Sequence, residues 1–514
     1  MFKLKNVIWI LITCLFLIHF GTMYYGSQQY TWLEDDDALD HATGSVYFAE
    51  NGNVQPFGKD NFVRTYLSPY PPLYDVIMGT LYKLNGDIVW TLKFFNALMI
   101  SLSIPIGFLL FRKLLSNEWK ALFATFLLAI TPCFMSHFIW SQSLALPLMM
   151  LTIYCLLHLD KGAFKVDKWV VFACASMLGV FFTQPSTAVF MLLFIVPLFF
   201  YKDWKKVLLV CGVSSVIFIG IFMVPNLATF GVDNTMLGIG ISTGIFSGGS
   251  NVDTSGGQIP SLKDLAIAPT VSKMDQPTGF GMGLFLLLII GWCLLFMNKW
   301  WKGQEHLLII VWFVTFFILL FGNALPIKLF PHRVWAFLTI PAVLIATNAY
   351  WAILKGIRDK RIRTGVALVI MGLLLITCAY PKYVVNTSAW PPGTVWSRTN
   401  PFLEMQGYEW FNNNNITDRV APLCSEEEKL ISMGVNAYPY DDEMFKFRKD
   451  IWTQGGNSVA TYTFLTNKNI KYLTIDHQCI YNHGTDATNL LINQLLVIAN
   501  PVFANEEIIH MRLK

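Results

Sequence analysis

Long apolar segments recur along this 514-residue chain and constrain its fold more than any other feature. About eleven of them approach the roughly 20 residues that a membrane-spanning helix needs, and several are short enough to tilt or to be re-entrant. Mean hydropathy is +0.49, which is typical of a multi-span membrane protein. We therefore predict a polytopic α-helical membrane protein of about 11 transmembrane helices. The segments are residues 7–25, 88–111, 118–134, 143–158, 168–184, 186–201, 207–225, 280–297, 306–323, 334–353 and 364–381.

The distribution of basic residues indicates how these segments cross the cell membrane. The first apolar run follows Lys3 and Lys5 and lacks a small-residue cleavage site after it, so we expect it to be a retained anchor. With a cytoplasmic N-terminus, most basic residues of the short loops fall on the cytoplasmic side, as the positive-inside rule requires. The long loops and the tail would then be external. The net charge of +4 is explained by this topology and gives no reason to expect a nucleic-acid partner.

The same topology suggests two domains. Residues 1–381 would form the transmembrane domain, with external loops at 26–87 and 226–279. Residues 382–514 alternate helix-like and strand-like runs, which predicts a small external soluble α/β domain. Cys424 and Cys479 lie in this tail, and the sequence leaves open whether they form a disulfide.

An acidic run follows the first span: Glu34, Asp35, Asp36, Asp37 and Asp40 occupy five of seven positions. A helix that begins near Asp36 or Asp37 would explain two or three of these acids, through an N-cap and the helix dipole. The remaining charges repel one another near a low-dielectric boundary, so helix capping alone does not account for them.

Asp37 and His41 are spaced i and i+4 and would share one face of that helix. A carboxylate and an imidazole on one face can meet a single ligand or a metal ion. The alternative is that both residues serve only the structure of the helix start.

The chain also resembles a known superfamily. The residues that carry the resemblance are Asp-Ala-x-x-His at 37–41 and Tyr-Pro-Pro-Leu-Tyr at 70–74, after a single span and before the second. This arrangement resembles the GT-C membrane glycosyltransferases, which use polyprenyl-phosphate-linked sugars and include protein O-mannosyltransferases, aminoarabinose transferases and oligosaccharyltransferases. The resemblance implies that the first-loop acid is catalytic or binds a divalent cation, Mg or Mn. That role falls on Asp37, with Asp36 and His41 beside it, and Tyr70 would contact the substrate.

A second part of the resemblance lies before the tenth predicted span. Arg333, preceded by His332, resembles the basic residue that holds the carrier phosphate in this superfamily, and a guanidinium suits phosphate. The alternative is an arginine that anchors the helix to lipid headgroups. His137 and Gln142, in the second outer loop, would contact donor or acceptor, or are interface residues.

Two sequence features differ from those of one enzyme class within the superfamily. The second outer loop, residues 133–142, has no acid, and Trp410 is followed by Phe411 and Asn412 where oligosaccharyltransferases have a Trp-Trp-Asp-Tyr-Gly type motif. Both departures argue against an oligosaccharyltransferase and leave the need for a metal open.

We therefore expect a glycosyltransferase that moves a sugar from a polyprenyl (dolichyl) phosphate to a protein, glycan or lipid acceptor on the external face, with inversion. Membrane lipids would be its surroundings. One alternative is a lipid-linked glycan flippase or transporter, although the predicted spans hold few ionisable residues. Another is a non-catalytic envelope scaffold that binds through its tail.

Overall fold

The computed structural model describes residues 4–53, 70–159, 166–238, 260–267, 279–297, 303–322, 331–387, 399–425, 427–438, 442–453 and 458–514. The chain divides into two compact units. Unit 1 comprises Met1–Thr31 and Lys93–Trp390, and unit 2 comprises Trp32–Leu92 and Pro391–Lys514. Most of the first predicted external loop and most of the tail therefore belong to one unit, which the sequence did not suggest. The domain boundary at 381/382 stays a prediction.

Unit 1 is helical. Two π-helical turns, Ile219–Met223 and Leu375–Ala379, interrupt its longer helices. Its α-helices are α1 (Leu4–Ser27), α4 (Ile88–Leu115, which starts in unit 2), α5 (Glu118–Ile130), α6 (Gln142–Leu156), α7 (Lys168–Phe181), α8 (Pro185–Ile195), α9 (Leu198–Tyr201), α10 (Trp204–Phe218), α11 (Val224–Gly238), α12 (Leu262–Ala266), α13 (Met282–Met297), α14 (Gln304–Leu320), α15 (Pro331–Gly356), α16 (Lys360–Leu374) and α17 (Tyr380–Thr387).

Five helical stretches of the described chain are long and apolar enough to cross a membrane. Other apolar helices, such as α13 and α14, are shorter than 18 residues. One predicted span, residues 186–201, is divided because Pro197 separates α8 from α9. The prediction of a mostly helical membrane protein is confirmed, and the number eleven stays a prediction. The five stretches are Asn6–Ser27, Ile88–Leu115, Trp204–Val232, Arg333–Gly356 and Lys360–Thr387.

Helix α15 is the most buried of the five long apolar helical stretches. It packs against α5, α13 and α14. The ring of Phe337 on this helix lies 4.7 Å from the ring of Phe190. Phe316 of α14 stacks on the same Phe337, and its ring is 4.4 Å from that of Phe194. Aromatic pairs of this kind add to the burial of apolar surface. The packing fixes the helix that carries Arg333 in its first turn.

Unit 2 combines helices with one mixed sheet in the order β1-β2-β4-β3. Strand β1 is parallel to β2, and β4 is antiparallel to both β2 and β3. The predicted alternation of helix-like and strand-like runs is confirmed at Ser458–Asp476, where a helix is followed by a strand. The elements are α2 (Asp36–Asn51), α3 (Leu73–Asn85), α18 (Pro401–Asn413), β1 (Arg419–Pro422), α19 (Glu428–Ser432), α20 (Asp442–Thr453), α21 (Ser458–Asn467), β2 (Ile470–Asp476), α22 (His477–His483), α23 (Thr485–Leu495), β3 (Ala499–Ala504) and β4 (Ile508–Leu513).

Helix α2 begins at the acidic run, as predicted. Asp35 is its N-cap and accepts a hydrogen bond from the Asp37 backbone N–H at 3.1 Å. The helix packs against α3 and α19. Gly79 allows the close crossing with α3, because a Cβ there would lie 2.4 Å from the Ser45 carbonyl oxygen. Two neighbours therefore fix the position of α2 within unit 2.

A buried polar network lies in unit 2 near α19. Lys429 Nζ on α19 donates to Glu404 Oε1 at 2.7 Å, and both side chains are almost fully buried. Tyr408 Oη and Ser425 Oγ both donate to Asp476 Oδ2, the former at 2.6 Å. Burial first, and then the Asp476 charge, raise the pKa of Tyr408 well above its ordinary value, so its hydroxyl stays a donor. Glu404, Lys429 and Asp476 thus each have a hydrogen-bonded partner.

A disulfide borders this network. It joins Cys424, which precedes Ser425, to Cys479 on α22, and encloses 55 positions of sequence. The structure thereby settles the pairing that the sequence left open.

Reduction of this disulfide should loosen unit 2. Opening a loop of this length restores chain entropy to the unfolded state, worth about 2–4 kcal/mol. Hydrogen exchange of peptides from β2 and α22 should therefore speed up when a phosphine reductant is added to the purified protein. The Cys424→Ser/Cys479→Ser double variant is the control and should exchange fast with or without reductant. A reductant effect of equal size in that variant would show that another group is responsible.

Candidate functional site

In unit 2, the predicted acid Asp37 lies in the first turn of α2. Its side chain is partly buried, and its backbone N–H is held by the Asp35 cap. His41, one turn later, is buried with 1% of its side chain exposed. The two residues therefore share a helix but differ in access to solvent. A partly accessible carboxylate at a fixed helix start can accept a proton from a bound hydroxyl.

His41 has a carboxylate partner that the sequence did not reveal. Its Nδ1 lies 2.7 Å from Asp75 Oδ1 in the first turn of α3. Burial raises the pKa of the Asp75 carboxyl above its ordinary value, although the adjacent His41 opposes that shift. The rings of Tyr74 and Tyr70 lie 4.7 and 6.0 Å from the imidazole. The imidazole is thus oriented by Asp75, and it joins α2 to α3.

Asp75 was missed for a physical reason. It follows the Tyr-Pro-Pro-Leu-Tyr motif directly and stands in the first turn of a helix, where an acid is ordinarily explained by the helix dipole. Its contact with His41 spans 34 positions of sequence. The only sequence signal for a role of Asp75 was the presence of an acid in an amphipathic and otherwise largely apolar segment.

In unit 1, Arg333 lies at the start of α15. Its guanidinium donates to Ser186 Oγ in the first turn of α8 at 2.8 Å, and it lies 5.5 Å from the centre of the Trp140 ring. A cation over an indole face is attracted to it. The guanidinium is therefore held in one orientation at the point where α8 and α15 both begin.

Buried polar groups without hydrogen bonds accompany this arginine. Gln142, the first residue of α6, is fully buried, and within the described residues neither its Oε1 nor its Nε2 has a hydrogen-bond partner. The same holds for Ser143 Oγ and Trp140 Nε1. An unsatisfied buried polar group costs about 1–3 kcal/mol, and three neighbouring residues carry such groups. Donors and acceptors left in this state suit a polar ligand that completes them.

The loop that carries His137 is fixed through its backbone. The Asn386 Oδ1 accepts from the His137 N–H at 2.9 Å, and Asn96 Nδ2 donates to the carbonyls of His137 and Phe138. Lys382 Nζ donates to the Phe134 and Met135 carbonyls in the same loop. His137 itself is buried. Three side chains thus hold the loop backbone, and the loop leads directly into Trp140 and Gln142.

Part of the predicted site lies outside the described residues. The side chains of Asp36 and His332, and the loop residues 325–330, belong to that part. In the portion of the chain that is described, no three His, Cys, Asp or Glu side chains come together as a metal site would require. The described residues thus do not by themselves build a site for Mg or Mn.

Sequence comparison identifies one related family. The chain matches the family described as dolichyl-phosphate-mannose-protein mannosyltransferase over residues 9–235. No curated protein matches the chain.

Solved structures share the fold at low sequence identity. The oligosaccharyltransferase of Archaeoglobus fulgidus in its apo form has a TM-score of 0.61 at 12% identity, over 97% of this chain and 73% of that one. ArnT from Cupriavidus metallidurans, bound to undecaprenyl phosphate, has a TM-score of 0.55 at 13% identity, over 99% and 98%. The arabinofuranosyltransferase AftD from Mycobacteria has a TM-score of 0.53 at 13% identity, over 99% and 42%.

These likenesses cover nearly the whole chain, and the family match covers the segment that holds the acidic run and Gln142. The resemblance predicted from the sequence is confirmed. The chain is an integral membrane protein whose fold is similar to that of the GT-C glycosyltransferases, and the family match spans residues 9–235, less than half of the chain.

Proposed function

We propose that this protein is a glycosyltransferase that moves a sugar from a polyprenyl-phosphate carrier to a hydroxyl of a protein, glycan or lipid on the external face of the membrane. The observation that carries the proposal is the buried, unpartnered amide of Gln142 in unit 1, close in sequence to the Trp140 that Arg333 contacts. Cationic and hydrogen-bonding groups of this kind suit a phosphate at headgroup depth. The undecaprenyl phosphate bound to ArnT and the dolichol-phosphate bound to AglB, the oligosaccharyltransferase of Archaeoglobus fulgidus, support the same donor class.

The proposed reaction is one direct displacement with inversion. Asp37 takes the proton of the acceptor hydroxyl as its oxygen bonds to the anomeric carbon. The bond from that carbon to the carrier phosphate breaks, and the phosphate oxygen keeps the electron pair. Arg333 stabilises the charge that develops there, and Gln142 donates a hydrogen bond. Asp75 orients His41, which keeps the start of α2 in place.

The proposal includes the predicted topology. About eleven spans with a cytoplasmic N-terminus would leave residues 26–87, 226–279 and 382–514 outside. Asp36 and Asp37 are the candidates for holding a divalent cation, whose charge would help to neutralise the carrier phosphate. The chemistry assigned above to the chain's own residues does not depend on it.

The test is sugar transfer by the purified protein in detergent, with a panel of radiolabelled polyprenyl-phosphate sugars and native membrane acceptors, with and without a chelator. Transfer of label from one donor supports the proposal. Release of free sugar alone, or uptake of intact lipid-linked glycan into vesicles without transfer, would contradict it and favour the flippase alternative.

Arg333→Gln should reduce use of the donor. Loss of a charge-assisted contact to the leaving phosphate should lower kcat/KM for the lipid donor by about 10²–10³-fold. Arg333→Lys should recover part of the lost kcat/KM, because an ammonium keeps the positive charge but lacks the planar, two-pronged hydrogen-bonding geometry of a guanidinium. The matched control is Arg358→Gln, which removes an exposed arginine after the other end of α15. Equal losses in both variants would indicate a general charge effect.

A further inference from the structure

A basic pocket of about 340 Å³ lies in unit 1, away from the candidate site. Arg112 and Lys113 of the last turn of α4 line it, together with Lys202, which follows α9. These three residues define what we call the basic pocket. Tyr154, near the C-terminal end of α6, also lines it. Gln142 begins the same helix, so about 18 Å of helix axis separates the pocket from the candidate phosphate site.

The charge balance of the basic pocket is positive. Glu305, in the first turn of α14, is the acid that lines it, and Tyr201 Oη already donates to Glu305 Oε1 at 2.9 Å. Arg112 lies 3.9 Å from Glu118, and both of these side chains are 38% exposed, so that ion pair contributes little. Three cations therefore share the pocket with one acid.

The positive-inside rule alone does not explain this arrangement. The rule requires basic residues on the cytoplasmic side, and it does not require side chains from separate helices to converge on one cavity. Convergence of like charges costs energy unless an anion offsets it. A bound anion would account for the cavity and for the charges around it.

The surroundings indicate which anion. His158 lines the pocket, its Nδ1 lies 2.9 Å from the Tyr154 carbonyl oxygen, and its ring stacks on Trp169 at 4.2 Å. Lys168 lies 5.2 Å from the Trp169 ring centre. Tryptophan, tyrosine and lysine at the ends of apolar helices mark the headgroup layer of a bilayer. A phosphate carried on a lipid would reach this depth.

We propose that the basic pocket binds the phosphodiester headgroup of an anionic phospholipid on the predicted cytoplasmic side. Basic pockets between membrane helices on that side suit such headgroups, because guanidinium and ammonium groups pair with phosphate oxygens while the acyl chains remain in the bilayer. The site is separate from sugar transfer and does not rest on the proposed function.

The test compares lipid binding by two triple variants of the full chain. The pocket variant is Arg112→Gln/Lys113→Gln/Lys202→Gln. The control variant is Lys360→Gln/Arg361→Gln/Arg363→Gln, which removes three exposed charges from the start of α16 on the same predicted side. Binding of phosphatidylglycerol and of phosphatidylcholine is measured by native mass spectrometry, with inorganic phosphate as a free-anion arm.

We expect the wild type and the control variant to retain phosphatidylglycerol over phosphatidylcholine. The pocket variant should bind phosphatidylglycerol roughly 100-fold more weakly, about fivefold for each basic side chain. If it does not fold, Lys113→Gln/Lys202→Gln carries the test, with an expected loss of roughly 25-fold. Equal retention in the pocket and control variants would overturn the proposal. If inorganic phosphate displaced phosphatidylglycerol, the basic pocket would be a site for free phosphate and the proposed lipid would be wrong.

Discussion

Asp37→Asn should abolish sugar transfer. A general base contributes about 10²–10⁴-fold to a rate, and asparagine cannot accept the proton of the acceptor hydroxyl. The folded state should change little, because the Asp37 side chain is partly exposed and its backbone N–H keeps the Asp35 cap. We expect kcat to fall by that factor while the KM for the lipid donor stays within about twofold.

The control for this variant is Asp35→Asn. It removes one negative charge from the same helix start, and asparagine caps a helix about as well as aspartate. Transfer should therefore stay near the wild-type rate. If both variants lose transfer to the same extent, the acidic run acts through its total charge and Asp37 is not the base. If neither loses it, the proposed role of Asp37 is wrong.

Lys429→Met should destabilise unit 2 more than other single changes that we consider. It would leave the buried Glu404 carboxylate without its lysine and with His477 Nδ1, at 3.3 Å, beside it, and breaking a buried pair costs about 3–5 kcal/mol. Hydrogen-exchange protection of peptides from α18 and α19 should fall by about 10²–10³-fold. Because α19 packs against α2, sugar transfer should fall as well.

Two further variants separate this effect from a general loss of charge. Lys468→Met removes the partly buried lysine that pairs with the exposed Glu443, and it should cost less than about 1 kcal/mol. The double variant Glu404→Leu/Lys429→Met removes both buried charges, and apolar replacements of a buried pair are often tolerated. It should be more stable than Lys429→Met alone. A double variant at least as unstable as the single one would show that the pair is not the source of the effect.

Much of the fold followed from the sequence because its signals are local. Apolar length predicted long helices such as α1, and the acidic run predicted the start of α2. The alternation of patterns in the tail predicted β1, β2 and the helices around them. Proline caused one difference, since Pro197 divides one apolar segment into two helices.

The site was less accessible because its contacts are distant in sequence. Asp75 lies 34 positions from His41, and Ser186 lies 147 positions from Arg333. The apolar pattern of the sequence can place a residue at the end of a span. It does not show which residue of another helix that residue contacts. Gln142 was a candidate among ordinary interface residues until its burial without a hydrogen bond set it apart.

The assembly of unit 2 from two distant pieces of chain has a consequence for biosynthesis. Helix α2 ends at Asn51 and its packing partner α19 begins at Glu428, so roughly 380 residues must be made between them. At about 5–20 residues per second, that interval lasts roughly 20–75 s. During this time α2 and its buried His41 lack the surface that α19 provides. The ribosome must therefore complete almost the whole membrane region before the helix that carries the candidate base can reach its native environment.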